Sequence, residues 1–134
     1  MDLSALLAIA GIISAVGVTV LFFRIQRELQ MKERNERTWI PWADRLAFGA
    51  TFLSMLVLAV TLIDRDSSSR FSAWLAPLLV ASVVLVIGYA PAILAHYRLL
   101  GGPDVGPRDN PEPVEKWIVW GTLVLATIAA YVAR

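Results

Sequence analysis

His96 is the residue of this chain whose side chain best suits acid–base chemistry or metal binding near neutral pH. A haem or metal centre generally needs more than one protein ligand, but the chain has a single histidine and no cysteine. Such a centre would require one His96 from each of two subunits. No serine stands in a context typical of a nucleophile activated by a histidine. We therefore expect His96 to face lipid headgroups, and we predict no catalytic, cofactor-binding or metal site.

Two polar loops offer weaker signals for ligand binding. Residues 101–111 are dense in glycine and proline and favour turns, but their spacing matches neither phosphate-binding nor dinucleotide-binding glycine motifs. Residues 64–70 contain Asp64 and Asp66, whose carboxylates would suit a cation. Because Arg65 and Arg70 lie beside them, a solvated loop is the simpler interpretation. The net charge of +1 indicates no nucleic-acid partner.

The elements that carry these residues are four long apolar segments without a charged side chain, at residues 3–23, 46–63, 74–95 and 117–132. Each is about as long as the ~17–25 residues that a helix needs to cross a bilayer. Hydrophobic residues make up 57% of the chain, above the roughly 45–50% typical of soluble domains. The sequence therefore predicts an all-α integral membrane protein, a single four-helix transmembrane bundle over residues 1–134. Its helices are expected at about residues 3–37, 43–64, 72–97 and 111–133.

The basic residues predict an orientation in the membrane. Nine of the 12 Lys and Arg residues lie around the first and third loops, while Arg65, Arg70 and Arg134 lie on the other side. Cytoplasmic loops carry the excess of Lys and Arg, so both termini are expected outside the cytoplasm. The predicted location is a cell membrane, most simply a bacterial inner membrane.

The first loop is expected to continue helix one into the cytoplasm. Opposite charges recur four residues apart, as in Glu28 with Lys32 and Glu33 with Arg37, and such pairs support a helix. The projecting end is either a solvated helix, a face that lies on anionic lipid, or a docking surface for a protein. The residues predicted to contact a partner are Arg24, Arg27, Lys32 and Arg34.

Small residues spaced three or four apart predict the faces on which the membrane helices pack. Such residues let helix backbones approach closely, which is how helices associate in lipid. The predicted packing residues are Gly11, Ala15, Ala47, Ala50, Ala126 and Ala129. Contacts between copies of the chain are the alternative use of these stripes.

Helix three contains Gly88 and Pro91, which predict a kink, either a hinge or a packing adjustment, because proline removes a backbone hydrogen bond. A weak internal repeat is also visible. Trp39 and Trp42 precede helix two much as Trp117 and Trp120 open helix four. This match would relate the two helical hairpins.

Two functions agree with these features. The first is a non-catalytic membrane subunit or scaffold that presents the projecting helix and the third loop to a membrane or cytoplasmic protein. The alternative is a self-assembling oligomeric pore, channel or membrane-disrupting effector lined by Ser, Thr and small residues. Beyond the lipid bilayer, the expected partners are therefore copies of the chain itself or another protein.

Overall fold

A computed structural model describes residues 3–33, 41–63, 72–100 and 112–134, and within them it contains four α-helices and no strand. The helices are α1 (Leu3–Glu33), α2 (Asp44–Ile63), α3 (Ser72–His96) and α4 (Pro113–Val132). Each is long and apolar enough to span a membrane. The architecture is therefore that of an all-helical, multi-pass membrane protein.

The helix bounds follow local signals in the sequence. The predicted continuation of α1 beyond Glu33 lies outside the described residues. Helix α4 begins at Pro113, where a missing N–H costs nothing because the first amides of a helix have no intrahelical acceptor. Helix α3 contains Pro77 and Pro91 and remains helical from end to end.

The helices pack mainly against their neighbours in sequence. Helix α1 packs against α2, α2 against α3, and α3 most extensively against α4, with a smaller contact between α1 and α3. Helices α2 and α3 therefore form the centre, and α1 and α4 lie on either side of them. Many large apolar side chains on α1 and α4 point outward, as expected for surfaces that face lipid acyl chains.

Two glycines let the helices of each hairpin approach closely. Gly17 of α1 lies against Thr51 of α2, and a Cβ added to Gly17 would lie 2.9 Å from the Cβ of Thr51. Gly88 of α3 lies against Thr122 of α4, where an added Cβ would lie 2.8 Å from the Thr122 Cβ. Real Cβ atoms essentially never show contacts this short. These positions therefore accept glycine because the neighbouring helix leaves no room for a side chain.

The two hairpins repeat this contact in the same register. The separation in sequence from Gly17 to Gly88 equals that from Thr51 to Thr122. The same separation relates Asp44, the first residue of α2, to Glu115 in the first turn of α4. The tryptophan match seen in the sequence aligns the two hairpins differently. The residues it pairs are separated in sequence by a different number of positions from those that form these helix contacts.

Candidate functional site

Six ionisable side chains gather where α3 ends and α2 and α4 begin, at the level of Arg24 in α1. We call this group the charged end; it comprises Arg24, Asp44, His96, Arg98, Glu112 and Glu115. The antiparallel order of the helices brings these residues together, although each stands beside an apolar segment in the sequence. Each acidic side chain of this group pairs with an Arg or His side chain, which lowers the cost of placing it beside the membrane-spanning segments.

Arg24 joins α1 to the start of α2. Its Nε donates to Asp44 Oδ2 at 2.9 Å, and its Nη1 donates to the Tyr97 hydroxyl at 3.4 Å. The guanidinium of Arg27 lies over the Tyr97 ring, 5.1 Å from its centroid. The second oxygen of Asp44, Oδ1, is buried without a hydrogen-bond partner in the described part of the chain. Arg24 is therefore committed to contacts within the protein.

Glu115 is the most deeply buried member of the charged end, with 0% of its surface exposed. Its Oε1 accepts a hydrogen bond of 2.9 Å from the backbone N–H of Ala43, immediately before α2. The first amides of a helix lack intrahelical acceptors, so this carboxylate caps α2 from α4. A negative charge is also favourable at the positive end of the α2 dipole.

His96 completes the link between the helices. Its Nδ1 lies 3.0 Å from Glu115 Oε2, within hydrogen-bond distance. The expectation that His96 faces headgroups is wrong, since the residue is buried. A carboxylate that holds Nδ1 would orient the imidazole for base catalysis. Together with the bond from the Ala43 N–H to Glu115, this pair joins α2, α3 and α4.

Arg98 terminates α3 in a conformation that is unusual for arginine. The Leu99 N–H donates to Leu94 C=O and the Arg98 N–H donates to Ala95 C=O, both at 2.9 Å, which is the Schellman pattern. Arg98 occupies the left-handed position of this motif, with φ 56°, where glycine is usual. Its Nε donates to Glu112 Oε1 at 2.9 Å, which ties the end of α3 to the start of α4.

We expect Arg98→Gly to be less destabilising than Arg98→Ala, although both variants lose the ion pair with Glu112. Glycine adopts the left-handed conformation without strain, whereas alanine pays about 1 kcal/mol there. The difference in free energy of unfolding between the two variants, measured by thermal unfolding in mild detergent, checks this. Equal stability of the two variants would contradict a left-handed Arg98.

The predicted partner-binding residues separate into two groups. Arg24 is paired with Asp44 and largely buried, whereas Arg27 and Lys32 are exposed. Arg34 lies outside the described residues. On the segment of α1 after Arg24, the accessible basic side chains are therefore Arg27 and Lys32.

The predicted packing residues also differ in position. Ala47, Ala50 and Ala126 are buried between helices, Ala129 and Gly11 are half-buried, and Ala15 is exposed. On α1 the buried face carries instead Leu6, Ala10, Ile13, Ser14 and Gly17. Of the two residues predicted for the hinge, Gly88 lies against Thr122 and Pro91 is half-buried.

Several hydroxyl groups within the bundle form hydrogen bonds to each other or to the helices that carry them. Ser14 of α1 and Ser54 of α2 share a buried hydrogen bond of 2.9 Å. Thr61 and Ser82 donate to backbone carbonyls of their own helices. These bonds fix helix contacts and satisfy polar groups that would otherwise be unpaired in a low-dielectric interior.

Sequence reasoning missed the charged end because its pairs are distant in sequence and each member also fits a simpler role at a helix end. Arg24 and Asp44 are 20 residues apart, and Ala43 and Glu115 are 72 apart. The signal that was available is the position of Glu115, an acidic residue in the first turn of α4. Comparison with protein-family models, curated proteins and solved structures finds no match to this chain.

Proposed function

We propose that this chain is a non-catalytic integral membrane subunit or scaffold that presents the end of α1 to a protein partner. The excess of Lys and Arg around the first and third loops favours the cytoplasmic side for this surface, with both termini outside. The proposed location is a bacterial inner membrane. The observation that carries the proposal is the outward face of α1 beyond Arg24.

That face continues past the level at which α2 begins. Arg24 is level with Asp44, the first residue of α2, and α1 continues to Glu33. At ~1.5 Å per residue, the segment after Arg24 projects roughly 13 Å beyond the start of α2. The Arg24–Asp44 ion pair holds the base of this projection in a fixed orientation.

Two apolar side chains on the projection are exposed. The charged residues around them indicate that this part of α1 lies in water. Ile25 is 59% exposed and Leu29 is 57% exposed. With Lys32 they lie on one face of the helix, opposite Arg27, which contacts Tyr97. An apolar pair beside a cation suits a partner with an apolar groove and a negative rim. The stripe is too narrow for stable binding to a lipid surface.

The arrangement of hydroxyl groups supports this proposal over an oligomeric pore. The buried hydroxyls of Ser14, Ser54, Thr61 and Ser82 bond to each other or to helix carbonyls. Thr19 and Thr127 are exposed, on α1 and α4, but each also donates to a carbonyl of its own helix. Conduction would therefore depend on several copies that place these outer faces around a channel.

The test is recovery of a partner with a variant that changes only the proposed face. Wild-type protein extracted from its own host in mild detergent should carry a second protein in fixed stoichiometry by native mass spectrometry. Ile25→Gln combined with Leu29→Gln should reduce that recovery at least about tenfold, because burying each apolar side chain is worth ~1.5–3 kcal/mol. Both substitutions leave the number of Lys and Arg unchanged, so the membrane orientation is preserved.

The control variant is Gln26→Ala with Gln30→Ala, which alters exposed residues in the same helical turns. It should retain the partner. Undiminished recovery with the Ile25 and Leu29 variant would refute this docking face. A homo-oligomer of wild-type chains with no second protein would refute the subunit proposal in favour of the pore.

A further inference from the structure

Two basic side chains from different hairpins converge on one tryptophan at the charged end. The Arg45 guanidinium lies 4.3 Å from the centroid of the Trp42 ring, and the Lys116 ammonium lies 5.8 Å from it. Both basic residues are exposed. Among the described residues neither forms an ion pair with a carboxylate. Two cations are thus held near the same ring, at the level where α2 and α4 begin.

Each cation also borders an apolar groove on the outside of the bundle. A groove of about 530 Å³ is lined by Leu21, Trp42, Arg45 and Phe48, among others. A second groove of about 520 Å³ is lined by Pro113, Lys116, Trp117 and Trp120. Both grooves thus combine an apolar wall with one basic side chain. A site of this composition suits a molecule with a negative head and apolar chains.

The repeat between the hairpins explains why each has a basic residue at the equivalent position. Arg45 directly follows Asp44, and Lys116 directly follows Glu115. In each hairpin the acidic residue turns inward to the charged end while the next residue turns outward. Asp44 also borders the first groove, but its Oδ2 is paired with Arg24. That pairing reduces its repulsion of a bound anion.

We propose that Arg45 and Lys116 form a binding site for an anionic phospholipid. The phosphate lies between the two cations beside Trp42, and the acyl chains follow the grooves formed by Leu21 with Phe48 and by Trp117 with Trp120. Basic sites between membrane helices recognise anionic headgroups through such contacts. This inference does not depend on the proposed protein partner.

The experiment is native mass spectrometry of the purified protein in mild detergent, titrated with phosphatidylglycerol or with phosphatidylcholine. The wild type should bind phosphatidylglycerol in preference to phosphatidylcholine. Arg45→Gln and Lys116→Gln should each weaken phosphatidylglycerol binding about fivefold, and together about 25-fold, given the usual contribution of one basic residue near anionic lipid. Thermal unfolding of each variant establishes that it is folded.

A matched control lies at the opposite end of the bundle. Arg134 stacks on Trp74 at 4.4 Å, so Arg134→Gln removes the same kind of cation–π pair without touching the proposed site. Its phosphatidylglycerol affinity should equal that of the wild type. Equal losses in the Arg134 variant and the double variant would overturn the proposal, as would equal binding of the two lipids. Displacement of the lipid by excess inorganic phosphate would instead assign the site to a free phosphate.

Discussion

Replacing Gly88 by alanine is expected to lower the free energy of unfolding by about 1–3 kcal/mol, the usual cost of overpacking a filled interior. The new methyl group would lie 2.8 Å from the Cβ of Thr122, which no rotation of the threonine side chain can move. Helices α3 and α4 would have to separate. Gly17→Ala should have an effect of the same kind through Thr51. Thermal unfolding in mild detergent, followed by circular dichroism, measures both.

The chain supplies its own controls for this prediction. A Cβ added at Gly11 or Gly121 meets nothing within 4 Å. Gly11→Ala and Gly121→Ala should therefore be neutral or stabilising, by up to about 1 kcal/mol, because alanine favours a helix more than glycine does. Combining Gly88→Ala with Thr122→Gly should recover part of the lost stability. If Gly88→Ala were as stable as Gly121→Ala, the tight α3–α4 contact would be refuted.

Glu115→Ala should cost about 3–5 kcal/mol, the range for removing one partner of a buried ionic interaction. The substitution leaves the Ala43 N–H without its acceptor and the His96 Nδ1 without its hydrogen-bond partner in a buried site. Glu115→Gln should be milder, because its amide oxygen can still accept from Ala43. The same unfolding measurement applies to both variants.

Glu33→Ala is the matched control, since Glu33 is an exposed glutamate at the end of α1. Its effect should be within about 0.5 kcal/mol of zero, as for most surface substitutions. A Glu115→Ala protein as stable as the Glu33 variant would contradict the capping role of Glu115.

The four helices could be predicted from the sequence because length and the absence of charge suffice to mark a membrane span. The inward faces could be predicted only in part. Lipid chains are as apolar as the bundle interior, so hydrophobic periodicity does not distinguish the two. Ala47 and Ala50 of α2 are buried, whereas on α1 the stripe through Ala15 faces outward. The rotation of α1 places Gly17 against Thr51, a contact that no local spacing reveals.

The charged end was less accessible to sequence reasoning for a different reason. Basic and acidic residues beside membrane spans usually face water or headgroups, and that is the role we assigned to His96. The buried His96 pairs with Glu115 of another helix, and Glu115 in turn accepts a hydrogen bond from the Ala43 N–H. Interactions of this kind are decided by how the two hairpins dock.

The cap that Glu115 provides for α2 also has a consequence for biosynthesis. A ribosome makes α2 before α4, so the Ala43 amide emerges 72 residues ahead of the carboxylate that accepts its hydrogen bond. The Arg24–Asp44 pair, by contrast, is complete as soon as the first hairpin exists. The first hairpin can therefore enter the bilayer with these two charges already paired. The start of α2 receives its acceptor from α4 only after the last helix has been translated.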